Sequence, residues 1–327
     1  MIEDAMRRAA EILRSTDEVA LACHINPDPD ALGSMLGLSA FLRARGASTV
    51  CSFPNEPFDV PGWLETFETT DALVEPSRFP EAPALMVTCD CASLDRLGRL
   101  AGASARAGEL IWIDHHVSNE GLGTVPVIDP AASSTAEMAF GLTRMIGGDL
   151  PTEAAALFYA GLVTDTGRFQ YEAVRPETLR LAADLREYGF DHARLVQILY
   201  EDNGVGYLKL VGIALDRLRL EESDDLVWTY LTQEDLASAS VDPAETDDLI
   251  DVIRTAREAD VAALVKQQRD GLFKVSMRSR GEHDLARVAA AFGGGGHRLA
   301  SGYTSTVGLA ETLEQLRDAL RASNGGA

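Results

Sequence analysis

The segment from His24 to Asp30 carries the residues best suited to chemistry. It reads His-Ile-Asn-Pro-Asp-Pro-Asp and follows Val19 to Cys23, an apolar run that predicts a strand. Two prolines fix the backbone φ here, so the imidazole and the carboxylates of Asp28 and Asp30 can converge on a cation. A turn in which Asp30 caps the following helix would explain the same residues, and the segment alone leaves both interpretations open.

Further acidic and imidazole groups follow other predicted strands or end a predicted helix. They are Asp90, the triplet Asp114-His115-His116, and Asp165. Taken singly, such an aspartate is more often a helix cap or a turn residue than a ligand. Because the carboxyl ends of parallel strands meet at one edge of a sheet, the joint presence of these groups predicts one shared site.

The types of these side chains restrict which metals could bind and which reaction they could support. Carboxylates and imidazoles without a thiolate suit manganese or magnesium better than a structural zinc, although zinc and cobalt could occupy the same ligands. Several aspartates also indicate two ions that share a bridging carboxylate. Two such ions about 3.5 to 4 Å apart can activate a shared water and stabilise both oxygens of an in-line displacement at phosphorus. The predicted chemistry is therefore the hydrolysis of a phosphate ester.

Alternating strands and helices must position these groups. The strand-like runs of the first half are residues 19–23, 49–51, 84–88, 110–113 and 125–128. Continuously apolar strands separated by helices predict an α/β fold, a mainly parallel sheet with helices on both faces. A smaller α/β set follows, with strands predicted at 226–231, 261–267 and 272–277.

Turn and breaker residues suggest where the two halves join. We expect a metal-binding catalytic domain over residues 1–188, a linker over 189–207 and a substrate-binding domain over 208–327. The chain length of 327 residues fits two domains. The active site is expected in the cleft between them.

Composition limits the partners and the compartment. A net charge of −22 argues against binding a long polyanion such as duplex nucleic acid, so any phosphate substrate should be small. No apolar stretch reaches the roughly 18 residues needed to span a bilayer, and no membrane partner is expected. The four cysteines form no C-x-x-C pair, so neither a disulfide framework nor a thiolate zinc site is indicated. A reducing cytoplasm is the expected location.

The motifs, in their order along the chain, resemble the DHH phosphoesterase superfamily from about His24 to Asp165. The resemblance implies a dinuclear manganese site that Mg²⁺ or Co²⁺ could also occupy. In that site, His24 and Asp28 would hold one ion, Asp30, His115 and Asp165 would hold the other, and Asp90 would bridge them. By the same likeness His116 would face the scissile phosphate and Asp114 would orient its neighbours. The expected reaction is attack of a metal-bridging hydroxide on phosphorus, with His116 stabilising the developing charge.

The second half adds a candidate phosphate site. Arg278 lies on a predicted strand, and four consecutive glycines precede His297. Glycine admits a ligand close to backbone amides, although a flexible loop is the better explanation of a glycine run without His297 and Arg278 beside it. With the arginine and the histidine, the run resembles the DHH-associated C-terminal domain, in which these groups grip the substrate phosphate. The residues concerned are Arg278, Gly294, Gly295, Gly296 and His297. The family usually has Ala at the position of Ser301.

Over nearly its whole length the chain resembles the branch of NrnA-type oligoribonucleases and pAp phosphatases. It implies short oligoribonucleotides, 3′-phosphoadenosine 5′-phosphate (pAp) and di-AMP-type linear or cyclic dinucleotides as substrates, and it suggests a homodimer. A family II inorganic pyrophosphatase shares the N-terminal motifs, but its lysine-rich C-terminal signature is missing. A RecJ-type exonuclease is disfavoured by the acidic composition, and a non-catalytic cyclic-dinucleotide sensor would have no need for a bridging carboxylate. Arg168 is either a phosphate contact or a surface arginine that packs its stem.

Overall fold

A computed structural model describes residues 2–119 and 121–324 of the protein. The chain divides into two compact units, Met1–Asp202 and Asn203–Ala327. None of the helices in these described ranges is long and apolar enough to cross a bilayer.

The first unit alternates strands and helices along the chain. The strands are β1 Glu18–Cys23, β2 Ser48–Ser52, β3 Leu85–Cys89, β4 Glu109–Asp114 and β5 Val125–Ile128. The helices are α1 Ile2–Arg14, α2 Pro29–Ala44, α3 Ala101–Arg106, α4 Thr135–Ile146, α5 Thr152–Asp165, α6 Pro176–Arg186 and α7 His192–Tyr200. Short 3₁₀ turns lie at Gly62–Leu64, Glu68–Ala72, Pro76–Arg78 and Leu94–Leu100.

These strands form a parallel sheet in the order β2-β1-β3-β4-β5 that is covered on both faces. Successive side chains of a strand point to opposite faces, so Leu21 belongs to the core under α1, α2, α4 and α5, whereas Ala20 packs on the other side. That second face is covered by α3 and the 3₁₀ turn Leu94–Leu100. The predicted parallel sheet with helices on both faces is confirmed.

Helices α2 and α5 approach each other unusually closely. A Cβ atom at Gly33 would lie 2.3 Å from the Leu157 carbonyl oxygen, and one at Gly161 would lie 2.7 Å from Asp30 Oδ1. Only glycine permits such an approach of two backbones. This close packing brings Asp28 and Asp30, at the start of α2, near Asp165, at the end of α5.

The second unit contains a mixed sheet in the order β10-β11-β9-β8-β7-β6. Its strands are β6 Arg219–Glu221, β7 Leu226–Leu231, β8 Val261–Gln267, β9 Phe273–Ser279, β10 Gly295–His297 and β11 Ala300–Ser305. Its helices are α8 Val205–Asp216, α9 Gln233–Ala239, α10 Leu249–Ile253, α11 Leu285–Ala290 and α12 Leu309–Asn324. Two 3₁₀ turns lie at Glu222–Asp224 and Pro243–Thr246. Helices α8, α9 and α10 pack on one face, and α11 and α12 pack on the other.

The glycine run before His297 differs from what the sequence suggests. The glycine run is typical of a loop, yet Gly295–His297 forms strand β10, which pairs antiparallel with β11. Glycine has a low strand propensity, so the pairing leaves no signal in the pattern. The division between the units falls after Asp202, within the segment 189–207 that the sequence suggests as a linker, and helix α7 of that segment buries Leu195 in the core of the first unit.

Candidate active site

One group of potential ligands gathers where β1 ends. His24 Nε2 lies 3.3 Å from Asp90 Oδ2 and 3.8 Å from Asp28 Oδ2. Asp28 is the N-cap of α2, because its side chain accepts a hydrogen bond from the Ala31 amide at 3.0 Å. The helix cap is therefore Asp28 rather than Asp30, and capping leaves the second oxygen of Asp28 directed at the imidazole.

A second group gathers around His115, at the end of β4. His115 Nε2 lies 3.3 Å from Asp165 Oδ2, and ligand atoms of Asp30, His115 and Asp165 lie within 4.8 Å of one another. Asp30 is buried, and its oxygens accept hydrogen bonds from the amides of Thr135 at 2.7 Å and Ala136 at 2.9 Å. These amides belong to the first turn of α4, so a helix N-terminus holds the Asp30 carboxylate in place.

Asp90 lies between the two groups. Besides its contact with His24, it places Oδ1 3.6 Å from His115 Nε2. Its backbone has a φ of 58°, a left-handed conformation that turns the chain sharply after β3, and its amide donates to the Ile113 carbonyl at 2.9 Å. The Thr135 hydroxyl donates to Asp90 Oδ1 at 2.8 Å and orients the carboxylate. Asp90 is thus placed to contact two adjacent sites at once.

The spacing of these atoms suits bound cations. Nitrogen and oxygen atoms that ligate one ion at about 2.1 Å lie roughly 3 Å apart when their bonds are perpendicular. The imidazole–carboxylate separations of 3.3 to 3.8 Å are close to that value and longer than good hydrogen bonds. Imidazole and carboxylate together are ligands that divalent metals accept.

The electrostatics point in the same direction. Burial, reinforced by Asp90, Asp165 and Asp28, raises the pKa of Asp30 well above its usual value. Burial likewise raises the pKa of Asp165 to about 7. Closely packed buried carboxylates therefore take up protons unless a positive charge joins them. Divalent cations would supply that charge, so the residues present fit the metal ions that the sequence resemblance implies.

The same carboxylates also shift the pKa of His24, and the histidines shift the pKa of Asp90. Burial acts to lower the pKa of His24, but its interactions with Asp28 and Asp90 prevail and raise it to about 10. For Asp90, burial acts to raise the pKa, yet the neighbouring His24, His116 and His115 overcome it and lower the pKa below its usual range. Without metal, the proton on the His24 imidazole balances part of the negative charge of the cluster.

His116 faces a carboxylate of its own. Its Nδ1 lies 2.7 Å from Oδ1 of Asp114, which is completely buried. A carboxylate can only accept, so Nδ1 carries the hydrogen and Nε2 is directed away from Asp114. Against the lowering effect of burial, the Asp114 hydrogen bond raises the pKa of His116 to about 9.

In the second unit, Arg278 and His297 lie on one face of the sheet. Ala300 of β11 pairs with both of them, with Arg278 on β9 and with His297 on β10. Residues directly opposite one another share a face, so the arginine and histidine flank a small alanine. Arg278 donates from Nη1 to the Met277 carbonyl at 3.1 Å, and its Nε lies 3.6 Å from Asp251 Oδ1.

The neighbouring row on this face consists of small residues. Gly302 pairs with Gly295 on one side and with Ser276 on the other. A Cβ atom at Gly295 would meet no atom within 4 Å, whereas one at Gly294 would lie 2.2 Å from the Gly302 carbonyl. Gly296 has a φ of 136°, and the Ser301 hydroxyl donates to the His297 carbonyl at 2.6 Å. These small residues, bordered by Arg278 and His297, can let an anion lie close to the backbone.

The structure thus brings the six predicted metal-binding side chains together in the first unit and places the predicted phosphate-binding residues on one sheet of the second. Arg168 stacks its guanidinium 4.0 Å from the centre of the Tyr200 ring, which supports the packing interpretation. Sequence reasoning missed Thr135, which orients Asp90, and Arg96, whose Nη2 lies 2.9 Å from His24 Nδ1. Ser134 and Glu137 carry a helix-start signal near Thr135, but no local pattern indicates its contact with Asp90.

Known proteins match both units. The DHH family N-terminal domain matches residues 18–162, and the DHHA1 domain matches residues 229–324. The bifunctional oligoribonuclease and PAP phosphatase NrnA of Thermus thermophilus is 32% identical over 320 residues, which cover 97% of this chain and 94% of that protein. The protein of the same name from Bacillus subtilis is 30% identical over 88% of each chain. A crystal structure of an exopolyphosphatase-related protein from Bacteroides fragilis has a TM-score of 0.89 at 23% identity, covering 99% of this chain and 97% of that one, and it supports the fold. The chain therefore belongs to the DHH phosphoesterase family, and its chemistry is that of a hydrolase.

Proposed function

We propose that the protein is a phosphoesterase that depends on two divalent cations and hydrolyses short nucleotides. The proposed substrates are short oligoribonucleotides, pAp and di-AMP-type linear or cyclic dinucleotides, and the proposed metal is Mn²⁺. The observation that carries the proposal is the pair of adjacent ligand groups with Asp90 between them. A purely structural ion pair would have no need for two groups joined by one carboxylate.

The contacts support the following ligand roles. His24 and Asp28 would hold one cation, and Asp30, His115 and Asp165 would hold the other. Asp90 would serve both. When bound, two divalent cations lower the pKa of a water and draw charge from the phosphoryl oxygens.

The remaining residues of the site bind and orient. The Asp114 hydrogen bond fixes the tautomer of His116, so that Nε2 can contact a non-bridging oxygen of the scissile phosphate. Thr135 and the first turn of α4 keep Asp90 and Asp30 from swinging toward solvent. Because Asp30 and Asp90 are buried, solvent screens their charges little, and their pull on a cation is strong.

The second unit would bind a further phosphate of the substrate. Arg278 would contribute charge-assisted hydrogen bonds, and Gly294 to Gly296 with His297 would offer backbone amides and an imidazole. The binding energy of that remote phosphate would hold the scissile one in place. The strongly acidic chain favours substrates with few phosphates over long polyanions. A cytoplasmic location and a homodimer are also parts of the proposal.

The decisive assay offers pAp, pApA, short RNA and pyrophosphate side by side to the chelator-treated protein, with and without added Mn²⁺. We expect metal-dependent release of AMP from pAp and pApA, resolved by chromatography, and no comparable turnover of pyrophosphate. Preferred hydrolysis of pyrophosphate would favour a pyrophosphatase. Binding of cyclic di-AMP in a separate experiment, without turnover of it or of any compound in the assay, would favour a sensor.

A substitution tests the second phosphate site. Arg278→Ala should lower kcat/KM for pApA about 10- to 100-fold, because charge-assisted hydrogen bonds to phosphate are lost. Arg287→Ala is the matched control, since Arg287 lies on α11, which packs against the opposite face of the same sheet. Unchanged kinetics of the Arg278 variant with both pAp and pApA would remove Arg278 from the site.

A further inference from the structure

The buried carboxylate of Asp114 lies between two side chains of the loop that follows β4. Its Oδ1 accepts the hydrogen bond from His116 Nδ1 at 2.7 Å, and its Oδ2 accepts one from Asn119 Nδ2 at 2.6 Å. We propose that Asn119 is a positioning residue, which acts on the reaction by holding Asp114 and, through it, His116. The proposal rests on the proposed contact of His116 with the scissile phosphate.

Two carboxylates lie near His116, so the imidazole keeps its orientation only if Asp114 keeps its own. Its Nδ1 lies 2.7 Å from Asp114 Oδ1 and 3.7 Å from Asp90 Oδ1. A rotation of Asp114 about its side chain would weaken the shorter contact and allow the imidazole to turn toward Asp90. Asn119 opposes that rotation, because a carboxylate bonded at both oxygens has one preferred orientation. The direction of His116 Nε2 therefore depends on Asn119 through the carboxylate of Asp114.

Asn119 is itself well anchored. Its Nδ2 also donates to the Cys91 carbonyl at 3.1 Å, and its Oδ1 accepts from the Gly121 amide at 3.0 Å. Its own amide donates to the His116 carbonyl at 3.1 Å. The side chain thus has two separable functions, a turn contact through Oδ1 and a carboxylate contact through Nδ2. An aspartate at this position keeps the acceptor for Gly121, loses the donors to Asp114 and to the Cys91 carbonyl, and places a second carboxylate beside that of Asp114.

The test measures kinetics in two backgrounds. Asn119→Ala and Asn119→Asp should each lower kcat for pApA about 10- to 100-fold, with KM and Mn²⁺ content within about twofold of wild type. In a His116→Ala background, Asn119→Ala should change the residual rate less than about twofold, because its effect passes through the missing imidazole. Thr124→Val is the matched control. It removes side-chain hydrogen bonds to Leu110 and Glu109 at the other end of the same loop, and its kcat should stay within about twofold of wild type.

A second measurement does not depend on activity. The chain has six histidines, so the Nδ1–H signal of His116 can be assigned in ¹⁵N-histidine spectra of the metal-free protein by its loss in His116→Ala. We expect that signal to weaken or disappear in Asn119→Ala and to persist in Thr124→Val. Equal losses of rate in both backgrounds, or a wild-type rate for Asn119→Asp, would overturn the proposal. If His116→Ala itself turns over pApA normally, the proposed role of His116 fails, while the imidazole signal still reports whether Asn119 holds it.

Discussion

Gly161 offers a way to disturb the proposed metal centre without altering a single ligand. It lies in α5, and a Cβ atom there would stand 2.7 Å from Asp30 Oδ1 and 2.8 Å from Ala136 Cβ. Asp30 cannot move freely, since two amides of α4 hold its carboxylate. We therefore predict that Gly161→Ala weakens Mn²⁺ binding and activity.

The size of the effect follows from these distances. Ordinary contact begins near 3.4 Å, so the methyl group must displace Asp30 Oδ1 by about 0.7 Å. Disturbing the groups that orient a metal ligand typically costs about 10- to 100-fold in metal affinity. Overpacking costs about 1 to 3 kcal/mol, and alanine regains about 1 kcal/mol in a helix, so the unit should lose at most about 2 kcal/mol of stability. The variant should therefore fold with a Tm only about 4 to 8 °C lower at most.

Two further glycines serve as controls. Gly37 lies in the same pair of helices, where a Cβ atom would meet the Phe158 ring at 2.7 Å and no ligand, so Gly37→Ala should lose stability but keep its metal affinity. Gly212 is exposed in α8 and has no neighbour within 4 Å, so Gly212→Ala should gain up to about 1 kcal/mol. Equilibrium dialysis with Mn²⁺ and thermal melting of the metal-free proteins supply the readouts. A folded Gly161→Ala protein with wild-type affinity for Mn²⁺ would refute the placement of Asp30 at the metal.

Three other outcomes follow from the same contacts. Asp90→Asn keeps the shape of the side chain and removes its charge, so it should lower both the rate of hydrolysis and the affinity for Mn²⁺ by more than about 100-fold. Wild-type values of both would end the two-ion proposal. In the metal-free protein, the pKa of His24 is about 10 and that of Asp165 is about 7, so protons occupy these ligand atoms below those pH values. Mn²⁺ binding at pH 7 should therefore release at least about one proton and tighten from pH 6 to 8, which calorimetry in two buffers can measure; binding independent of pH would contradict this prediction. Away from the site, hydrogen bonding to Arg217 lowers the pKa of Asp235 from 3.8 to about 2, so its contribution is present above pH 4 and lost as the pH falls toward 2. Asp235→Asn should lower the free energy of unfolding of the second unit in urea by about 1 to 2 kcal/mol at pH 7 and by almost nothing at pH 2. If the variant and the wild type were equally stable at pH 7, the Arg217–Asp235 pair would contribute nothing.

Much of the fold can be predicted from the amino-acid sequence. Continuously apolar runs mark β1, β3 and β4 because strands buried on both faces must be apolar throughout. The same runs locate His24, Asp90 and His115, since each follows a strand directly and parallel strands end at a common edge. The side chains that we propose as metal ligands could therefore be named from the sequence alone, and their convergence could be predicted from it.

Other features required the tertiary structure. Strand β10 could not be predicted, because glycine carries no strand signal and the strand exists only through its partner β11. The Thr135 hydroxyl meets Asp90 across 45 positions, and Asn119 reaches Asp114 only after the loop has turned back on itself. Such contacts depend on where packed helices and loops place individual atoms, to within tenths of an ångström, and one-dimensional patterns of polarity do not encode that distance. Sequence alone determined which groups are present and at which edge of the sheet they lie, whereas the close packing of α2, α4 and α5 decided how those groups face one another.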